Sequence, residues 1–259
     1  MLIRIGILQL EECFLGKEIP GFVHTFILNL LYPARCPVCD RPAPFGTDIC
    51  PDCLRTLPVI ETRRCAICGK PVEEFEKCCE DCAKNPHAYT CGLGIFLYDE
   101  QMKKTMAALK YKGRREYGAV LGRLVFERAR SELLRWRPQA VIPVPIHPER
   151  RNQRGYNQAE EIARPIAELS GIRFCPDLLV RTERTGPMKK LTRAERFENM
   201  KNAIAVRSGG HVPDRVLIVD DIYTTGATID AAAGALRKAG ARQIYFLSVC
   251  IGAGFMITY

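Results

Sequence analysis

Tryptophan occurs once in these 259 residues, and no apolar run approaches the roughly 20 residues that a bilayer-crossing helix requires. The stretch from Leu2 to Leu10 runs straight into Glu11 and Glu12 without a cleavage pattern, so residues 1–21 fit neither a secretory signal nor a membrane span. Phe22 to Leu31 is amphipathic and predicts one helix, too short to cross a membrane and suited to packing on the rest of the chain. Nowhere does Gly-Lys-Ser or Gly-Lys-Thr close a glycine-rich turn, which excludes a mononucleotide P-loop. A chain without a secretory signal is expected in the cytoplasm, where thiols stay reduced, and its 13 cysteines therefore point to metal before disulfides.

What is present begins with those cysteines. Cys36-Pro-Val-Cys39 and Cys50-Pro-Asp-Cys53 return as Cys65-Ala-Ile-Cys68 and Cys79-Glu-Asp-Cys82, every offset being 29. The same shift carries Pro42 to Pro71, Arg41 to Lys70 and Asp52 to Asp81, so a unit has been duplicated. Each unit reads C-x₂-C-x₁₀-C-x₂-C, two knuckle-like turns able to close four thiolates around one tetrahedral zinc. Two structural Zn²⁺ are expected, one per unit from the equal spacing, with ligands interleaved between units as the alternative. Cys78 aligns with Ile49 and falls outside the pattern. Redox chemistry is disfavoured because four equivalent pairs leave no single nucleophile to specialise. Cys13, Cys78, Cys91, Cys175 and Cys250 are read as single reduced residues.

Charge divides the chain. The first 100 residues carry 10 Lys/Arg and 14 Asp/Glu, whereas the remainder carries 28 and 15. A zinc ribbon that grips nucleic acid with its own face would show the reverse, which weakens a transcription-adaptor reading and points to a polyanionic partner for the larger part. The basic excess concentrates in Lys103–Arg137, in Arg150, Arg151 and Arg154, and in Arg181–Lys201. Together these clusters suit a phosphate-rich ligand, pyrophosphate or a nucleic-acid backbone, and Lys110, Lys112, Arg114 and Arg115 are the candidates for a nucleic-acid surface. Apolar residues from Met106 to Leu133 recur at helical spacing, and Trp136 is expected to end that helix and anchor it.

Val216-Leu217-Ile218-Val219 reads as a buried strand of a parallel sheet, followed by Asp220 and Asp221 and then Thr224-Thr225-Gly226-Ala227-Thr228 ahead of an alanine-rich helix through Lys238. Ligands collect at such strand ends, and free amides at a helix start attract phosphate. The two acids supply acceptors for the hydroxyls of a ribose or for a hydrated Mg²⁺. The segment predicts a site for a phosphorylated sugar. A second strand, Ala140-Val141-Ile142, leads into a basic loop, His147 to Arg154, and then to Gly155-Tyr156-Asn157-Gln158 opening another helix.

The run from Val216 to Thr228 resembles the phosphoribosyl-pyrophosphate (PRPP) motif of type I phosphoribosyltransferases. That resemblance implies that Asp220 and Asp221 hold the ribose, with Mg²⁺, and that Thr224, Thr225, Gly226, Ala227 and Thr228 hold the 5′-phosphate. It also implies that His147, Arg150, Arg151 and Arg154 lie on the pyrophosphate side. Together with Val144-Pro-Ile-His147, Arg154-Gly-Tyr-Asn-Gln-Ala159 and Thr192-Arg-Ala-Glu-Arg-Phe-Glu-Asn199, the motif is similar to the ComF family of competence-associated proteins. Where that family carries Thr-x-x-Gln, this chain has Thr185-Gly186-Pro187-Met188. The resemblance implies an α/β fold with a mostly parallel sheet and flanking helices over residues 86–259. A double zinc ribbon over 34–85 and an extension with one amphipathic helix over 1–33 would precede it. It further implies PRPP or ribose 5-phosphate as ligand, DNA uptake as the setting and a competence helicase as partner. If the chain is catalytic, pyrophosphate would leave PRPP as an acceptor attacks the anomeric carbon. No residue reads as contacting a purine or pyrimidine acceptor. The partner it implies is single-stranded DNA, and the alternative is a non-catalytic, single-stranded-DNA-binding scaffold that keeps the fold as a ligand sensor.

Overall fold

The computed structural model describes residues 33–181 and 203–252. The expected helix over 22–31, the Thr185–Met188 departure, the Thr192–Asn199 segment and most of the third basic cluster lie outside the described residues.

Two short ribbons come first, each closed by a five-residue helix, α1 (Pro51–Arg55) and α2 (Glu80–Lys84). Both helices begin directly after a cysteine, so the last C-x₂-C of each unit sits on a helical turn that brings its two sulfurs to one side. Then follow β1 (Cys91–Leu97), α3 (Glu100–Tyr111), α4 (Glu116–Trp136), β2 (Ala140–Pro143), α5 (Pro148–Arg154), α6 (Gln158–Ser170) and β3 (Arg173–Phe174). The chain continues through β4 (Leu179–Arg181), β5 (Ile204–Val206), β6 (Arg215–Tyr223), α7 (Ala227–Lys238) and β7 (Gln243–Ile251). Five strands form one sheet in the order β1-β7-β6-β2-β3, every neighbouring pair parallel, while β4 and β5 make a separate antiparallel pair.

Parallel strands covered on both faces need apolar residues throughout, and Val216 to Val219 and Ile244 to Leu247 supply them. Alternation along β6 sends Leu217 and Val219 into a core with α3, α4 and α6, and Val216 and Ile218 into a second core with α7 and the second ribbon. Trp136 closes α4 and stacks on Tyr245 with ring centroids 5.0 Å apart, the anchoring expected of it. Gly92 on β1 leaves room for Phe246, whose ring a β-carbon there would strike at 2.0 Å.

Two local expectations change. The strand carrying the acids is nine residues long and continues through Asp220 and Asp221 to Tyr223, because pairing with β7 persists to Ile251. The basic stretch after β2 is a helix and not an open loop. Pro148 stands in its first turn, and the Nδ1 of His147 accepts from the amide of Glu149 at 3.3 Å to cap it.

The segment joining the ribbons, with Ile67 of the second ribbon, lies along the outer edge of β1. Leu97 N–H donates to Pro58 at 2.8 Å, Ile60 N–H to Ile95 at 3.2 Å and Gly92 N–H to Ile67 at 2.8 Å.

Candidate functional site

The C-terminal ends of β6 and β2 are adjacent in the sheet, so the loops leaving them open on the same edge. At the end of β6, residues 222 to 229 together with Asp220 line a small concavity that opens to solvent. Gly226 caps α7 with φ +80, and a β-carbon there would lie 2.5 Å from the Tyr223 hydroxyl, so both conformation and space require glycine. No side chain caps this helix. Its first amides therefore face the concavity without intrahelical partners, alongside the exposed Thr224 and Thr225 and the half-buried Thr228.

Consecutive residues of a strand point to opposite faces, and the two acids divide accordingly. Asp220 is turned to the concavity and buried. Its carboxyl is pushed up to about 8, first by burial and then by the charge of Asp221, against the opposing pull of the Asp221 amide, Lys110 and Arg181. Asp221 turns toward α3, where Lys110 Nζ lies 2.9 Å from its Oδ2. The ammonium approaches off the hydrogen-bond direction, so Oδ2 has an ion pair but no aligned donor. Ser248, opposite Asp220 on β7, is likewise buried with its hydroxyl unpartnered. Among the described residues these are the two buried side-chain oxygens without a hydrogen bond, one on each face of the sheet at the β6–β7 end.

The other sequence candidates are placed as follows. Arg150 and Arg151 are exposed on α5, Arg151 3.3 Å from Glu160. Arg154 bonds Gln158 and lies over the Tyr111 ring at 5.6 Å. None of the three lines the concavity. Of the four nucleic-acid candidates, Lys110 holds Asp221, Arg114 lies 3.2 Å from Asp40 and Arg115 2.8 Å from Glu161, while Lys112 is exposed.

The eight repeat cysteines gather within units and do not interleave. Cys36, Cys39, Cys50 and Cys53 form one tetrad, and Cys65, Cys68, Cys79 and Cys82 the other, all sulfurs of each lying within 4.8 Å of one another. Sulfur separations of 3.7 Å for Cys39–Cys50 and 3.5 Å for Cys68–Cys79 match the roughly 3.8 Å edge of a tetrahedron with Zn–S bonds of about 2.3 Å. Four thiolates leave no open position, so both sites fit structural zinc.

The surroundings of the second tetrad were not legible in the sequence. Cys82 Sγ lies 3.4 Å from Nε2 of His87, whose Nδ1 is 2.8 Å from Asp230 in the first turn of α7. The Ala88 amide donates to the other oxygen of Asp230 at 2.9 Å. The hydroxyls of Tyr89 and Tyr223 meet at 2.7 Å, with Lys70 Nζ over the Tyr223 ring at 5.6 Å.

Residues 27–83 match the double zinc ribbon domain model. Among curated proteins, the chain is 33% identical over 156 residues to competence protein ComFC of Streptococcus pneumoniae, covering 60% of this chain and 66% of that protein. It is 35% identical over 109 residues to competence protein F of Haemophilus influenzae, covering 41% and 48%. It is 27% identical over 222 residues to DNA utilization protein YhgH of Escherichia coli, covering 83% and 89%. The chain belongs to the ComF family.

The chain thus spans just under two thirds of the first of these ComF-type relatives and about half of the second. A purine phosphoribosyltransferase from Pyrococcus horikoshii superposes over 54% of this chain and 92% of its own, at 14% identity and a TM-score of 0.33. That superposition is loose. The mostly parallel sheet with flanking helices expected from the sequence is present in this ComF-family chain, with the acidic pair at the end of β6 and the glycine-capped helix after it. Among the described residues no helix is long and apolar enough to cross a membrane.

Proposed function

We propose that this protein binds PRPP, or a related ribose 5-phosphate, at the C-terminal end of β6 and does so in the service of DNA uptake. The observation that carries the ligand reading is the buried Asp220 beside an uncapped helix start. The helix amides and Thr224 to Thr228 receive the 5′-phosphate. Asp220 then meets the ribose hydroxyls, which donate to a carboxyl that burial and the charge of Asp221 push up to about 8. Asp221, on the other face of β6 and held by Lys110, would have to turn from that lysine to supply the second acceptor. Asp220 and Asp221 would hold a Mg²⁺ arriving with the pyrophosphate, which would neutralise its charge together with the arginines of α5 on the neighbouring strand end. In a transfer reaction the C1–O bond to pyrophosphate breaks as the acceptor's lone pair forms a new bond at C1, and these cations stabilise the departing charge.

Ribose 5-phosphate with Mg²⁺ is expected to raise the melting temperature of the full chain, and the double variant Asp220→Asn, Asp221→Asn to abolish that shift. An unchanged shift in the double variant places the ligand elsewhere. Release of pyrophosphate from PRPP, with and without candidate acceptors, separates a transferase from a ligand sensor.

The DNA part rests on the family and on the arginines exposed on α4 and at its end, among them Arg128, Arg130, Arg135 and the C-cap Arg137. Single-stranded DNA binding with a steep salt dependence is its test.

A further inference from the structure

The second zinc ribbon is joined to the phosphate-loop helix by side chains that the proposed ligand chemistry does not use. We propose that His87, seated between the Cys82 thiolate and Asp230, is a positioning residue through which the second zinc sets the geometry of the phosphate loop. This rests on the ribose-phosphate reading above, but its central claim, that zinc orders this loop, can be measured without any ligand.

The connection runs through two parallel struts. In the first, Cys82 Sγ is 3.4 Å from His87 Nε2, and His87 Nδ1 is 2.8 Å from Asp230 Oδ2. The remaining oxygen of Asp230 is taken by the amide of Ala88, whose own carbonyl accepts from Arg237 at the far end of α7. One stretch of three residues, His87 to Tyr89, thereby touches α7 near both ends. In the second strut, His87 stacks on Tyr89 with centroids 4.7 Å apart, and the Tyr89 hydroxyl meets that of Tyr223 at 2.7 Å. Tyr223 is the residue whose hydroxyl fills the space beside Gly226, the cap of α7.

Both ends of the first strut are fixed from outside. A zinc-bound thiolate cannot swing away without leaving the metal, and Asp230 is one turn into a helix whose Asp230 amide bonds the Gly226 carbonyl at 2.8 Å. The His87 side chain is about 5% exposed, so water does not replace its contacts. A ligand to a metal commonly depends on neighbours that orient it. Here the dependence also runs outward, from the metal site to the loop. The anion cradle needs its amides convergent to within a few tenths of an ångström, and a rigid metal knuckle behind the helix supplies that constraint. The first ribbon makes no such connection among the described residues, since its tetrad packs on Val120 of α4.

The experiment uses the full-length protein in four forms: unaltered, His87→Phe, Cys79→Ser and Cys50→Ser. His87→Phe keeps a flat ring for Tyr89 and loses both polar contacts. Zinc is counted by elemental analysis, amide hydrogen exchange is followed over residues 224–230, and ribose 5-phosphate binding is measured by calorimetry. His87→Phe is expected to retain two zinc ions yet exchange at least tenfold faster over 224–230 and bind ribose 5-phosphate about tenfold more weakly. Cys79→Ser should show the same faster exchange with one zinc, and Cys50→Ser should lose a zinc without changing exchange at 224–230. Unchanged exchange in His87→Phe with two zinc ions bound overturns the proposal, as does equal loosening by Cys50→Ser. If the unaltered protein fails to bind ribose 5-phosphate while the exchange pattern holds, the strut stands and the ligand reading falls.

Discussion

The two ribbons share one sequence plan and one tetrad geometry but occupy different positions in the molecule. The first rests on the outside of α4: Ile49, Cys36 and Cys53 cover Val120, Asp40 takes the Tyr117 hydroxyl, and Asp48 lies 2.5 Å from Arg123. It is an added layer on helices that already have a core beneath them. The second joins the core itself, with Cys65, Cys68 and Cys82 in the same cluster as Tyr223, Ile229 and Phe246. Duplication copies a fold, and what each copy does is decided by what it comes to rest on. A residue that differs between the copies can be traced to this. Lys70, which replaces Arg41, is buried over Tyr223, whereas Arg41 is exposed.

The largest test of this contrast removes one metal at a time. Cys79→Ser is expected to lose one zinc and lower the main calorimetric transition. Structural zinc in small domains contributes on the order of 10 kcal/mol to folding, and the second ribbon's share is transmitted to the sheet. Cys50→Ser should lose one zinc and leave the main transition near its original temperature. Equal depression by both variants would erase the distinction.

A smaller effect sharpens it. Asp220 has a carboxyl raised to about 8 by burial and by Asp221, against an unfolded value near 4. Between those values the native state keeps a proton that the unfolded chain releases, so stability falls as pH rises through that window. Asp220→Asn is expected to remove that fall and to add roughly 1 to 3 kcal/mol at pH 8, by urea denaturation at pH 5 and pH 8. The gain should be additive with Cys50→Ser and non-additive with Cys79→Ser, because only the second ribbon shares neighbours with the β6 end.

The smallest expected effect is none. Cys50→Ser should leave single-stranded DNA affinity and its salt slope, roughly 0.7 per neutralised phosphate, within error, since the exposed arginines lie on the larger domain. A loss of binding would assign the DNA surface to the first ribbon, and no binding by the unaltered protein would end the DNA reading.

The repeat arithmetic made the tetrads legible, because identical spacing constrains which sulfurs can meet. The β6 strand and the turn after it were legible for a similar reason: an apolar run, two acids and a Thr-Gly turn are local signals. What stayed hidden is long-range. His87 and Asp230 are 143 residues apart, and neither belongs to a periodic pattern. Ser248 left one trace, a hydroxyl in the otherwise apolar run of β7. The four basic residues from Lys110 to Arg115 read as a charged surface because charge is visible in sequence and pairing is not. Three of them hold carboxylates that reach them from a ribbon, from β6 and from α6.

The linker between the ribbons has a consequence for anyone wishing to study the larger domain alone. β1 is the last strand on its side of the sheet, and an uncovered edge of that kind is a template for pairing with other molecules. Pro58, Ile60 and Ile67 now occupy its hydrogen-bonding positions. Cutting the chain just before Cys91 would strip away that guard and convert a sheltered border into an adhesive one. A trimmed version that precipitated would then be reporting on a bare strand and not on the loss of zinc.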